Sequence, residues 1–146
     1  MDFTERISGA RTGTNKTIIC KVPSGWAALA DMQYLRGYII HMAHPMVASI
    51  NGLDEKRRAL FLKDMALIGD ALIEVTDAYR VNYAIAGNKD PYLHAHIIPR
   101  YLDEPEQYRT SSPWSYPQDV MEGRPFDYER DRELMAQLAE AIQKRL

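Results

Sequence analysis

The decapeptide PYLHAHIIPR, Pro91 to Arg100, sets His94 and His96 one residue apart inside an apolar run, and these are two of the four histidines in the chain. On an extended strand, side chains alternate between faces with a period of two. Tyr92, His94 and His96 then share one face, and Leu93, Ala95 and Ile97 share the other. The second set is wholly apolar and suits packing on a helix, which turns both imidazoles to the opposite, accessible side. A pair of imidazoles so placed suits phosphate chemistry. A neutral imidazole is a good nucleophile near pH 7, and a covalent phospho-histidine divides one difficult displacement into two easier ones. Its neighbour can donate to the phosphate oxygens where negative charge develops. Metal ligation is the other sharp reading, but zinc takes four ligands, or three in catalytic sites. His41 and His44 flank a different strand end and Cys20 is remote in sequence, so that reading stays open without being favoured. The plainest alternative is a pair of exposed histidines, or histidines satisfied by backbone partners.

Positioning those imidazoles takes a sheet and something to pack it on. Thr17 to Val22 (TIICKV) reads as a strand, Trp26 to Asp31 (WAALAD) as a strand or a short helical turn, and Tyr38 to Ala43 (YIIHMA) as a strand ended by His44-Pro45. From Asp54 to about Thr76 the period becomes helical. Phe61, Met65, Ile68, Leu72 and Val75 recur at spacings of four and three, Asp54 is placed to cap, and proline is absent. Leu60, Leu62, Leu67 and Ile73 widen the apolar surface, as burial within a monomer or at a dimer contact would require. Val81 to Ala86 (VNYAIA) and Tyr92 to Ile98 read as a hairpin joined by the turn Gly87 to Pro91. Residues 101–127 form a polar, proline-containing loop with Trp114 and Tyr116, a length typical of a binding loop or a disordered one. Residues 128–146 close the chain as a helix, with Leu134, Leu138 and Ile142 every four residues and Asp127 as its cap. This order predicts an α+β fold, a mostly antiparallel sheet of about five strands with one long central helix and a C-terminal helix, in a single domain over 1–146.

Composition narrows the function. At 146 residues, 46% hydrophobic and 26% charged, the chain has the proportions of one globular domain. Its net charge of −2 supplies no basic field for a nucleic-acid polymer. No apolar run approaches the roughly 20 residues of a transmembrane helix, so no membrane role is expected. The first sixteen residues carry no apolar segment of the secretory kind, and Cys20 has no intrachain partner for a disulfide. The cytoplasm is the expected compartment.

LHAHIIPR resembles the signature of the histidine triad family of nucleotide hydrolases and transferases, H-x-H-x-H followed by two apolar residues and often Pro-Arg. RGYIIHMAHP is similar to the family's glycine-bearing aliphatic strand before the central helix, and the likeness covers about residues 17–100. The resemblance implies that His94 is the nucleophile and that His96 contacts phosphate, while Tyr92 stands at the first histidine of the triad. A phenol keeps a hydrogen bond but cannot become a cation near pH 7. The resemblance further implies substrate-binding roles for Asn88 and Asn82, a contact of Asp31 with ribose hydroxyls, and a homodimer paired through the central helix and an adjoining strand. Arg100 could pair with phosphate, as a substrate-binding residue, or with an acidic residue on its own loop. The substrates implied are dinucleoside polyphosphates or nucleoside phosphoramidates, with no cofactor and no metal at the nucleophile. A nucleotide-binding module that lost turnover along with its first histidine is the main alternative, and a metal-binding protein using His94 and His96 is the other.

Overall fold

The computed structural model describes residues 2–146. Five strands, β1 (Ile18–Val22), β2 (Gly25–Leu29), β3 (Ile39–Ala43), β4 (Arg80–Ala84) and β5 (His94–Arg100), form one sheet in the order β1-β2-β3-β5-β4, and every neighbouring pair is antiparallel. The helix α2 (Glu55–Val75) begins where Asp54 accepts a hydrogen bond from the Arg57 amide at 2.8 Å. The helix α5 (Tyr128–Gln143) begins where Asp127 accepts from the Arg130 amide at 3.0 Å. Each cap satisfies one amide that the first helical turn leaves without a partner. The α+β class and five-stranded antiparallel sheet expected from the sequence are those observed.

Pleating divides the sheet into two faces. Ala27, Leu29, Ile39, Ala43, Ala95 and Ile97 pack with Phe61, Ile68, Leu72, Leu134, Leu138 and Ile142 into the main core beneath α2 and α5. His41 belongs to that side, fully buried and stacked on Phe61 at 4.1 Å. On the other face, Met42 lies opposite His94 and Ile40 opposite His96.

Of its two expected forms, WAALAD takes the strand, as β2. Three segments differ from the expectations. β5 starts at His94 instead of Tyr92, because the Leu93 amide and carbonyl are taken by Val47 and Ala43 while the Tyr92 carbonyl meets the His94 ring. Within the segment expected to be a loop lie two short helices, α3 (Glu106–Arg109) and α4 (Gln118–Glu122), and a 3-10 turn at Pro113–Ser115. The N-terminal segment, for which no element was expected, folds as the helix α1 (Phe3–Thr12). Asp2 caps the Glu5 amide, the Glu5 side chain answers to the Asp2 amide, and Gly13 ends the helix in the left-handed region. Phe3 and Ile7 pack with Ala28 and Met42, so α1 covers part of the histidine face.

Among the described residues, no helix is long and apolar enough to cross a membrane.

The tightest backbone approach lies at Gly25, where an added Cβ would sit 1.8 Å from the Met42 carbonyl oxygen. Because the obstructing atom belongs to a sheet backbone, relief requires moving β3. Gly25→Ala is expected to destabilise the protein by about 3 kcal/mol, read as a fall of roughly 10 °C in Tm by differential scanning calorimetry.

Candidate active site

His94 and His96 project from the same face of β5, their ring centroids 5.1 Å apart and inclined at 67°. His94 Nδ1 lies 2.7 Å from the Tyr92 carbonyl oxygen. A carbonyl can only accept, so Nδ1 carries the hydrogen and the neutral ring leaves its lone pair on Nε2. His96 Nδ1 lies 2.6 Å from the Tyr38 hydroxyl. Burial, and then the neighbouring His94, push His96 down to about 4, so it is uncharged at neutral pH. Burial raises the Tyr38 phenol well above its ordinary value, so it keeps its proton.

Two cavities meet at these rings. One, of about 350 Å3, runs over β2 and β3 between Phe3, Arg6, Asp31, Ile40, Met42 and the two histidines. The other, of about 440 Å3, is bounded by Gly87, Asn88, Lys89, Asp90, Trp114 and the same histidines. Lys89 and Asp90 line both. The first cavity offers an apolar wall with charged groups at its edge. The second offers an amide, a cation and an exposed indole.

Of the residues singled out in the sequence, the structure gathers His94, His96, Asn88 and Asp31 around these cavities. Tyr92 contributes its carbonyl to His94, and its ring packs on Phe3 at a centroid distance of 5.5 Å.

Arg100 does not reach a phosphate site. It is 2% exposed, and its guanidinium donates to Glu104 Oε1 and Oε2, to Asn82 Oδ1, and to the Tyr108 and Ser111 carbonyls. Those bonds use every N–H an arginine has, leaving none for a ligand. Asn82 is correspondingly committed to Arg100. The substrate contact expected of Asn82 is therefore corrected to a structural one, and of the two partners open to Arg100 the structure shows the acidic residue on its own loop, Glu104, and not a phosphate. Four residues along β5 from His96, about 13 Å, Arg100 instead fastens the following segment to the sheet.

Tyr116 and the Tyr101 amide also donate to Glu104, and Tyr34 donates to the Pro113 carbonyl at 2.6 Å. Burial raises the Glu104 carboxyl, but its hydrogen bonds with Arg100, Tyr116 and Tyr101 outweigh that and hold it below the usual carboxylate range. The fastened segment carries Trp114 to 5.2 Å from His96, edge-on at 88°.

Sequence reasoning missed Phe3, Arg6, Tyr38 and Lys89 as site residues and left the role of Trp114 open. The first two were announced by DFTE, an aspartate followed three residues later by a glutamate, which is a helix-start pattern. Among the described residues, no group of three or more histidine, cysteine, aspartate or glutamate side chains could hold a metal.

No protein-family model matches the chain, and no curated protein matches it by sequence. Solved structures do match. A histidine triad protein from Marinobacter aquaeolei superposes with a TM-score of 0.75 at 18% identity, covering 98% of this chain and 96% of that one. The chain has the histidine triad fold. A histidine triad protein from Sinorhizobium meliloti gives a TM-score of 0.72 at 19% identity, with 85% and 87% covered. A hypothetical histidine triad nucleotide-binding protein from Sulfolobus tokodaii gives 0.66 at 16%, with 88% and 84% covered. Within this histidine triad fold, the likeness reaches beyond residues 17–100 to nearly the whole chain.

Buried His41 and half-buried His96 tie stability to pH. Burial pushes His41 down to about 3 and His96 to about 4, against an unfolded value near 6.5. Between those limits the unfolded chain binds protons that the native one does not, so the contribution is fully present above pH 6.5 and is lost as pH falls toward 4. Urea unfolding at pH 7.5, 6 and 5 is expected to show steadily falling stability, with a shallower slope in His41→Gln.

Proposed function

We propose that this protein is a nucleotide hydrolase or nucleotidyl transferase that works through a covalent intermediate on His94. The observation that carries the reading is the bond between His94 Nδ1 and the Tyr92 carbonyl, which leaves Nε2 as the one lone pair on the ring. The fold supports the same reading, since one protein that shares it is described as nucleotide-binding.

In this scheme the Nε2 lone pair attacks the α-phosphorus. A nitrogen–phosphorus bond forms as the bond from phosphorus to the leaving group breaks; the departing atom keeps that electron pair, and an amine leaving group takes a proton from solvent, which the acceptor hydroxyl returns to solvent in the second step. Water, or another acceptor hydroxyl in a transferase, then attacks phosphorus, and the nitrogen–phosphorus pair returns to His94. With Tyr38 donating to its Nδ1, neutral His96 presents an Nε2–H to the phosphate oxygens. That donor adds no charge of its own. It also keeps its proton over the whole physiological range, which suits a group that must stabilise negative charge without being titrated. The apolar cavity over β2 and β3 accommodates the nucleoside, and the cavity beside Asn88, Lys89 and Trp114 accommodates the leaving group. Dinucleoside polyphosphates and nucleoside phosphoramidates are the substrate classes proposed.

A homodimer is also proposed. β4 lies at the sheet edge, where an antiparallel neighbour can add. Tyr79, Tyr83 and Ile85 in and beside β4, with Leu62 and Ile73 on α2, leave large apolar side chains exposed there. Sedimentation equilibrium at micromolar concentration is expected to give twice the chain mass, and a monomer would contradict the pairing.

A short pulse of diadenosine tetraphosphate followed by acid quench is expected to leave an adenylyl group on His94, visible by mass spectrometry of the His94 peptide. His94→Ala should lose the adduct and at least about a thousandfold in kcat. Binding of the dinucleotide with no mononucleotide released, by wild type and His94→Ala alike, would instead establish a binding module.

A further inference from the structure

A further cavity, of about 250 Å3, lies where the turn between β1 and β2 meets the end of β3 and the first turns of α2. Its walls are largely apolar, with Ala43, Val47, Leu53, Leu60 and Phe61 among them. Ala43 and Phe61 belong to the core beneath α2, so the cavity opens on the face of the sheet away from His94 and His96. Arg57 stands on its rim in the first turn of α2. Leu62 and Ile73, on the surface proposed for the dimer, are turned from Arg57 by roughly 140° and 160° about the helix axis, so that surface is a different one.

The main chain around the cavity is spent on the sheet. The Ala43 amide donates to the Leu93 carbonyl at 3.1 Å, the His44 amide to the Ser24 carbonyl at 3.0 Å and the Leu93 amide to the Val47 carbonyl at 2.7 Å. Pro23 and Pro45 have no amide to give. The polar side chains that remain are Ser24, His44 and Arg57, and each presents a donor. Nδ1 of His41 and Nδ1 of His44 are both buried without a partner. Burying an N–H with no acceptor is the rarer arrangement, so in each neutral ring Nδ1 keeps the lone pair and Nε2 carries the hydrogen. His41 Nε2 then donates to Ser24 Oγ, 2.9 Å away, and the serine hydroxyl hydrogen is left for another acceptor. His44 offers its own Nε2–H. Arg57 gives its amide to the Asp54 cap, and among the described residues its guanidinium joins no ion pair. Asp64 is buried and spent on the Ser24 amide at 2.8 Å, and no carboxylate lines the cavity.

We propose that this cavity is a second ligand site, one that takes a small carboxylate with an aliphatic tail. A carboxylate only accepts hydrogen bonds, which matches a set of three donors, and the guanidinium among them pairs with it as a cation. The apolar walls gain from covering a hydrocarbon tail. A phosphate dianion brings more charge and more oxygens than three donors on apolar walls satisfy. The volume equals that of about eight waters, which suits an acid of about six carbons. The site is independent of the nucleotide reading and stands or falls without it.

The test titrates hexanoate, its neutral isostere hexanamide and the cation hexylamine into the full chain at pH 7.5, by calorimetry and by amide correlation spectra. Hexanoate is expected to bind once per chain with a Kd of about 1 mM or tighter. It should move the amide signals of Ala43, Val47, Leu53 and Phe61 and leave those of His94 and His96 in place. Hexanamide should bind at least about fivefold more weakly, and hexylamine more weakly again. Arg57 is exposed, so Arg57→Gln keeps the fold; it should cost hexanoate at least about fivefold and hexanamide little, so that the two converge. Ser24→Ala and His44→Phe should each weaken hexanoate at least about threefold. No saturation by about 20 mM hexanoate, equal affinities for hexanoate and hexanamide in wild type, shifts confined to His94 and His96, or Arg57→Gln binding as tightly as wild type would each overturn the assignment.

Discussion

The burial of Leu93, Ala95 and Ile97 against α2 is the constraint on which the site depends. These side chains alternate with His94 and His96, so their demand for the apolar side decides where the imidazoles point. A slip of one residue in the pairing of β5 with β3 would bury both rings in the main core and expose the aliphatic set. The pairs Ile39 with Ile97, and His41 with Ala95, hold the register from the core side. The same alternation on β3 gives its own histidine the opposite fate. His41 faces α2, with Nε2 2.9 Å from the Ser24 hydroxyl and its ring stacked on Phe61, where no ligand reaches it. Two histidines on adjacent strands thus differ in role because they differ in parity.

Beyond Arg100 the chain has no strand to hold it, and an ion pair takes over. A buried arginine is costly unless all of its donors are met, and the segment that follows β5 meets them with Glu104 and two main-chain carbonyls. Satisfying the charge therefore requires residues 104–111 to wrap in one way. Tyr34, Tyr108 and Tyr116 pack over the result, with Tyr108 and Tyr116 stacked at 4.4 Å. Order in this segment comes from a charge that the sheet cannot release, and Trp114 stands beside His96 as a consequence.

This division explains what was legible in the sequence. Strands and long helices announce themselves through period and cap, and β1, β3, α2 and α5 were readable on those grounds. The facing of His94 and His96 followed from alternation alone. Asn82 was misassigned, and Arg100 was left between a phosphate and an acidic residue of its own loop, because a residue type beside a motif does not select among partners. The Tyr108 and Ser111 carbonyls meet Arg100 through the path of the chain, which no local pattern encodes. The helix α1 was readable in DFTE, but its place over the histidine face was not, since that depends on Phe3 and Ile7 finding Ala28 and Met42.

Tyr92 gains its meaning from the same helix. What the residue at 92 supplies to His94 is a main-chain carbonyl, which any residue there would provide, so the orientation of His94 does not depend on the side chain at 92. The side chain is free for another task. The phenol ring lies against Phe3, and Phe3 in turn lies 5.6 Å from the His94 ring, so an aromatic series runs from the strand to the first turn of α1. Aromatic pairs of this kind contribute about 1 kcal/mol beyond their area, enough to matter to a ten-residue helix that is marginal by itself. Tyr92 thus serves as an anchor for α1, and the helix so anchored is the one that sets Arg6 on Asp31.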